Sequence, residues 1–173
     1  EPLPKGRVLG DEVECNQFQD ATMFLVNHGK KGPQVGLLRP GTYRINTKLF
    51  KVTKYSATRI GENTIGIVIA KDGIPLPPGY IVAPKAMNAD GTEADHKFYQ
   101  NGQLFVDKNG YRGPQLDTLQ PGLYYINPLL FDIKAEYVAE VLPGYVAVIR
   151  SNVGLELEKA PGGPGDVGKE GWL

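Results

Sequence analysis

The sequence predicts a mainly β protein, built as two tandem copies of a small β-sheet or barrel-like module with at most short helices. Three observations carry that expectation. Residues 32–50 and 113–131 spell nearly the same text. Short apolar runs, "TIGIVIA" at 64–70 and "GYVAVIR" at 144–150, are bounded by Gly or Pro in the manner of buried strands. With 22 Gly and 14 Pro, few windows are long enough for a periodic helix.

The repeat has an offset of 81 residues, because Gly32 meets Gly113. "GPQ" recurs at 32–34 and 113–115, and Leu38, Pro40, Gly41, Tyr43, Ile45, Asn46, Leu49 and Phe50 return as Leu119, Pro121, Gly122, Tyr124, Ile126, Asn127, Leu130 and Phe131. Eleven of nineteen positions are identical, which marks a duplicated unit. The register continues downstream, where "TIGIVIAK" (64–71) lies over "YVAVIRSN" (145–152). "PLPKGRVLG" (2–10) also matches "PLPPGYIVA" (75–83), at an offset of 73. The expected organisation is a first β unit over 1–73 that begins in mid-unit, a second over 74–154, and the Gly/Pro-rich start of a third over 155–173.

Taken in order, "NQFQDATMFLVNHG" (16–29) has helix formers, a capping residue at Asn16 and a stop at Gly29, so a short helical turn competes there with irregular chain. Its counterpart carries Asn101-Gly102 and Asn109-Gly110, which favour turns and a hairpin. Pro40-Gly41 and Pro121-Gly122 suit the central positions of a type II turn, Pro fixing φ and Gly supplying φ above zero. A strand should follow each turn, with Tyr43 and Tyr124 sharing a face with Ile45 and Ile126. Asn46 and Asn127 fall where that strand ends and should bond nearby backbone. Phe50 and Phe131 complete the expected architectural set.

Charge excludes some functions. Lys plus Arg equals Asp plus Glu, 19 each, so no net field draws the chain to nucleic acid or an anionic surface. No run reaches the eighteen or so apolar residues that a membrane span requires. Cys15 is the only cysteine, which rules out an internal disulfide framework.

Chemistry is sparse. His28 sits in the turn-like "VNHGKKG" and faces Asn109 across the repeat; His96 adjoins Asp95, but neighbours on a strand point to opposite faces. Cys15 has no adjacent histidine to activate it. The acidic residues from Asp90 to Asp95 lack the layout of a calcium loop. In "APGGPGDVGKEG" (160–171), Lys169 is followed by Glu170 rather than Ser or Thr, so the phosphate-loop pattern fails. The residues therefore predict no catalytic, metal or cofactor site. Gln34 and Gln115, in the repeated GPQ loops, are the one candidate for a ligand- or protein-binding surface.

"LPGYVAVIRSNVGLELEKAPGGPGDVGKEGW" (142–172) resembles the approach to an SPFH (band 7) domain of the stomatin–prohibitin–flotillin group, and "LQPGLYYINPLLFDI" (119–133) resembles the Gly-turn and strand that follow in that domain. The similarity is greatest to large bacterial flotillin-like proteins. It implies a non-enzymatic, membrane-associated scaffold that oligomerises into rings or cages, anchored through regions outside this chain. The implied partners are other copies of the full-length protein. The alternative is a β module that binds a ligand or protein through its GPQ loops.

Overall fold

The computed structural model describes residues 7–153. The third-unit segment 155–173, with Lys169, lies outside them. Among the described residues, regular structure comprises two single-turn helices and five strands: α1 (Ala21–Val26), β1 (Thr58–Ile60), β2 (Thr64–Ala70), α2 (Gly102–Asp107), β3 (Gly113–Pro114), β4 (Gly122–Tyr124) and β5 (Phe131–Tyr137). The strands form two antiparallel sheets, β1-β4 and β3-β2-β5. The mainly β class is the observed one.

Each helix starts where a short polar side chain can take an orphan amide. Asp20 caps α1 by accepting from Met23 N at 2.9 Å. Asn101 caps α2 by accepting from Leu104 N at 3.0 Å. This corrects two expectations. Asn16 is not the cap, and Asn101-Gly102 opens a helix rather than a hairpin. The reason lies immediately upstream, where Asn16, Gln17 and Phe18 have φ of 49°, 53° and 63° and Lys97, Phe98 and Tyr99 have φ of 53°, 52° and 64°. A left-handed turn of this kind disfavours continuation into a right-handed helix. Helix growth therefore begins only after it, at Asp20 and Asn101.

Local geometry recurs at the offset of 81, and at 73 for the segment that begins with residues 2–10. Tyr43 Oη donates to Arg39 O and Tyr124 Oη to Gln120 O, both at 2.9 Å. Gly10 N donates to Pro33 O at 2.8 Å and Ala83 N to Pro114 O at 2.7 Å. Phe18, Phe24 and Phe50 form a ring triad with centroids 4.9–6.2 Å apart. Tyr99, Phe105 and Phe131 form its counterpart at 5.0–6.1 Å. The Pro-Gly corners differ from the expected type II turns, since neither Gly41 nor Gly122 has a positive φ. Gly41 is needed for closeness instead: a Cβ there would lie 3.0 Å from Tyr43 Oη. The glycine is the floor on which the tyrosine ring rests.

The sheets do not recur. All seven residues of β2 pair with β5, from Thr64↔Tyr137 to Ala70↔Phe131, and its C-terminal end also pairs with β3. β1 pairs with β4, Thr58↔Tyr124 to Ile60↔Gly122. Both strands from before residue 73 thus complete sheets whose other members come after it. With the residues up to 73 called the first block and those from 74 the second, the first-block counterparts of β4 and β5, residues 41–43 and 50–56, form no strand. "GYVAVIR" is likewise not a strand, and Val146, Val148 and Ile149 are 91%, 94% and 92% exposed. These are corrections with one cause: a strand persists only when its backbone groups are paired, and no described segment pairs with them as a strand.

The core follows the sheets. Val68, Leu119, Leu130, Phe105 and Phe131 are buried together with Ile60, Ala70, Tyr99 and Ile126, and Leu9 and Val35 reach in from the first block. The equivalents of Leu130 and Phe131, Leu49 and Phe50, stay exposed and half-buried respectively. No helix among the described residues is long and apolar enough to cross a membrane.

Candidate functional site: a stitched junction and an open acceptor face

The buried polar groups gather where the two blocks meet. Asp72 lies two residues beyond the end of β2 and is fully buried. Its carboxylate accepts from Gly73 N at 2.8 Å, Leu9 N at 3.0 Å, Val8 N at 3.1 Å and Arg7 Nε at 3.2 Å. Burial alone would raise its pKa, but the Gly73, Leu9 and Val8 amides and the Arg7 guanidinium together hold it below the ordinary 3.8. Asn127 makes a second stitch, its Nδ2 donating to Gln34 O and Val35 O, both at 2.9 Å. Its Oδ1 accepts from Leu129 N at 2.9 Å, the expected local bond. Asn46 keeps only the local half, with Oδ1 accepting from Lys48 N at 3.0 Å, and its side chain is exposed.

The candidate residues from the sequence separate clearly. Gln34 Nε2 donates to Lys30 O and Gly32 O, and Gln115 Nε2 to Tyr111 O and Gly113 O, all at 2.8 Å. Each GPQ amide therefore ties its own loop. His28 is an exposed turn residue at φ 59°. Asp90 Oδ1 accepts from Thr92 N and Oγ1, closing a tight turn, and Asp95 pairs with Lys97. Among the described residues no group of three His, Cys, Asp or Glu side chains is placed to hold a metal ion.

Cys15 and His96 share a role that was hidden in the sequence, where Cys15 has no obvious counterpart. They stand 81 residues apart, each before a left-handed turn. His96 Nδ1 accepts from Tyr99 N at 2.9 Å, and Cys15 receives the backbone of Phe18 in the same way. Both side chains satisfy an amide that the turn would otherwise leave unpaired. Burial pushes the Cys15 thiol up, which keeps it protonated and inert. Burial pushes His96 below 6.5, against the opposing charges of Asp117 and Asp95.

The His96 shift has a defined sign. The unfolded chain takes up the proton first, so this contribution to stability is complete above pH 6.5 and is lost as pH falls from there through the depressed folded value. In urea unfolding across that window, wild type is expected to lose stability as the pH falls. His96→Cys, which copies the Cys15 arrangement, is expected to abolish that slope while leaving stability near neutral pH within about 1 kcal/mol. An unchanged slope in the variant would contradict the assignment.

The first block presents the same surfaces without partners. α1 and the turn at 46–49 border a depression of about 400 Å³, lined by Ala21, Thr22, Leu25, Val26, Asn46, Lys48 and Leu49. The counterparts of β3, β4 and β5 in sequence are residues 32–33, 41–43 and 50–56, none of which forms a strand. Leu25 and Leu49 in this depression are exposed, and so are Val52 and Tyr55 further along the chain. Comparison with protein families, with functionally described proteins and with solved structures finds no match.

Proposed function

We propose that this chain is a non-catalytic module of a self-associating scaffold, of the flotillin-like SPFH type. Its partners are other copies of the protein, and its attachment to membrane runs through regions outside this chain. The observation that carries the reading is the crossing of β1 and β2 out of the first block to complete the sheets of the second. Blocks that finish one another's sheets extend by repetition, because each added copy presents the next unpaired edge. The polar residues agree with that role. Asp72, Asn127, Gln34 and Gln115 spend their hydrogen bonds on backbone and neighbouring loops. The SPFH assignment and the membrane association are supported by the resemblance of residues 119–133 and 142–172.

Sedimentation velocity on the 173-residue chain tests the scaffold reading. The weight-average sedimentation coefficient is expected to rise continuously from micromolar to submillimolar concentration. A chain that stays monomeric throughout would sink it.

A further inference from the structure

The geometry points to a specific head-to-tail joint between copies of this chain: residues 139–151 of one copy enter the first block of the next, as β1 and β2 enter the second block. This deepens the scaffold reading and rests on it. The template for the joint lies inside the chain, where β2 is held between β3 and β5 and β1 pairs with β4. Moving every partner by 81 residues places 145–151 between 32–33 and 50–56, and 139–141 along 41–43. Both sides of that pairing are present in each molecule and are unpaired among the described residues. The donor is almost wholly exposed at Val146, Val148 and Ile149.

The packing detail is consistent with this register. β2 carries Gly66 where a Cβ would meet Ile60 Cδ1 at 2.8 Å, Leu119 Cβ at 3.0 Å and Ile133 Cγ2 at 3.2 Å. The donor has Ala147 at that position. It also has Val141 in place of Ile60, and valine lacks the Cδ1 methyl that makes the closest approach. Leu38 stands for Leu119 and Val52 for Ile133. The methyl gained at 147 is thus matched by the methyl lost at 141, as conserved packing volume requires. Ile149 takes the place of Val68, a fully buried position.

A second contact requires the same displacement between copies. Val35, from the first block, is 2% exposed and sits against α2 of the second, where a Cβ on Gly102 would meet Leu130 Cδ2 at 2.7 Å and Val35 Cγ1 at 3.1 Å. Asn127 Nδ2 fixes that loop through Gln34 O and Val35 O. The residue equivalent to Val35 is Leu116, which is 50% exposed. The surface equivalent to that around α2 is the open depression lined by Ala21, Leu25, Asn46 and Leu49. Leu116 of one copy meets this depression on the next, across Ala21 where the second block has Gly102, with Asn46 Nδ2 donating to the carbonyls of Gln115 and Leu116. The two contacts use different surfaces on the two copies, so the joint is heterologous and propagates rather than closing as a two-fold dimer.

The register also makes a charge prediction. Ile69 lies opposite Asp132 within the chain, and the corresponding pair across the joint is Arg150 opposite Lys51. Like charges directly across an antiparallel pair weaken it, and opposite charges strengthen it.

The test is sedimentation velocity at low salt on wild type and four variants. Ile149→Asp is expected to weaken association about tenfold or more, since it puts a charge in a buried slot. It should leave the unfolding of the single molecule unchanged, because Ile149 is exposed there. Lys51→Glu and Arg150→Glu are each expected to tighten association by about threefold or more, and the double variant to return to the wild-type value. If the chain associates but responds to none of these changes, this joint is wrong and the scaffold reading survives with another interface. If it never associates, both are wrong. Concentration-independent hydrogen-exchange protection of residues 145–151 in a monomer would mean the segment folds back on its own first block, which overturns the joint as well.

Discussion

Asp72→Ala is expected to destabilise the fold by about 3–5 kcal/mol, the range for removing one member of a buried, hydrogen-bonded charge pair. The substitution removes the acceptor for the Val8, Leu9 and Gly73 amides and leaves Arg7 without its buried partner. Asp72→Asn keeps an oxygen for some of these donors and should cost about half as much. Arg7→Met should cost less again, about 1 kcal/mol, because the arginine is partly exposed and the amides remain to hold the carboxylate. Acid supplies an independent check. With its folded pKa below 3.8, the Asp72 contribution is complete above that pH and is lost as pH falls through the folded value. Urea unfolding of the alanine variant should therefore show a shallower acid limb than wild type below about pH 4. Hydrogen exchange should locate the damage, with Val8 and Leu9 losing protection first. A variant within about 1 kcal/mol of wild type would mean that the junction is not held by this carboxylate.

Phe131→Ala and Phe50→Ala are expected to differ strongly although the two residues occupy matching places in matching ring triads. Phe131 is 2% exposed, under β2, and its truncation should cost about 3–5 kcal/mol. Phe50 is half-buried, with no strand over it, and its truncation should cost about 1–2 kcal/mol. Chemical denaturation of dilute protein measures both. Equal costs would mean that the first block is already closed. If copies join as inferred above, the cost at Phe50 should grow with protein concentration while that at Phe131 stays constant.

The sequence repeat was legible because turns and aromatic positions are local: Tyr43, Asn46 and Phe50 can be matched to Tyr124, Asn127 and Phe131 one residue at a time. The mainly β class followed from the apolar run at 64–70 and the density of Gly and Pro. What could not be read was where each strand finds its partner. "TIGIVIA" and "GYVAVIR" look equally like buried strands, yet only the first has acceptor strands within the described chain. Pairing is a non-local property, and an apolar run carries no record of it. The start of α1 and the existence of α2 were missed for a different reason. Three consecutive left-handed residues without glycine are rare, so nothing at Asn16 or Lys97 warned that helix growth would start at Asp20 and Asn101. Cys15 and His96 were unreadable as a pair because their common task, accepting one amide, needs only an acceptor atom and leaves the residue type open.

The pairing of β2 with β5 has a bearing on biosynthesis. Thr64–Ala70 leaves the ribosome well before Phe131–Tyr137 exists, and the 61 residues separating Ala70 from its partner Phe131 take about 3–12 s to translate at ordinary rates. During that interval the nascent chain displays an apolar segment of high β-propensity with both edges bare, the kind of sequence that seeks any available strand. A polysome making this protein thus holds neighbouring nascent chains with identical bare segments close together, and chaperone cover over residues 64–70 is most needed before the second block is complete.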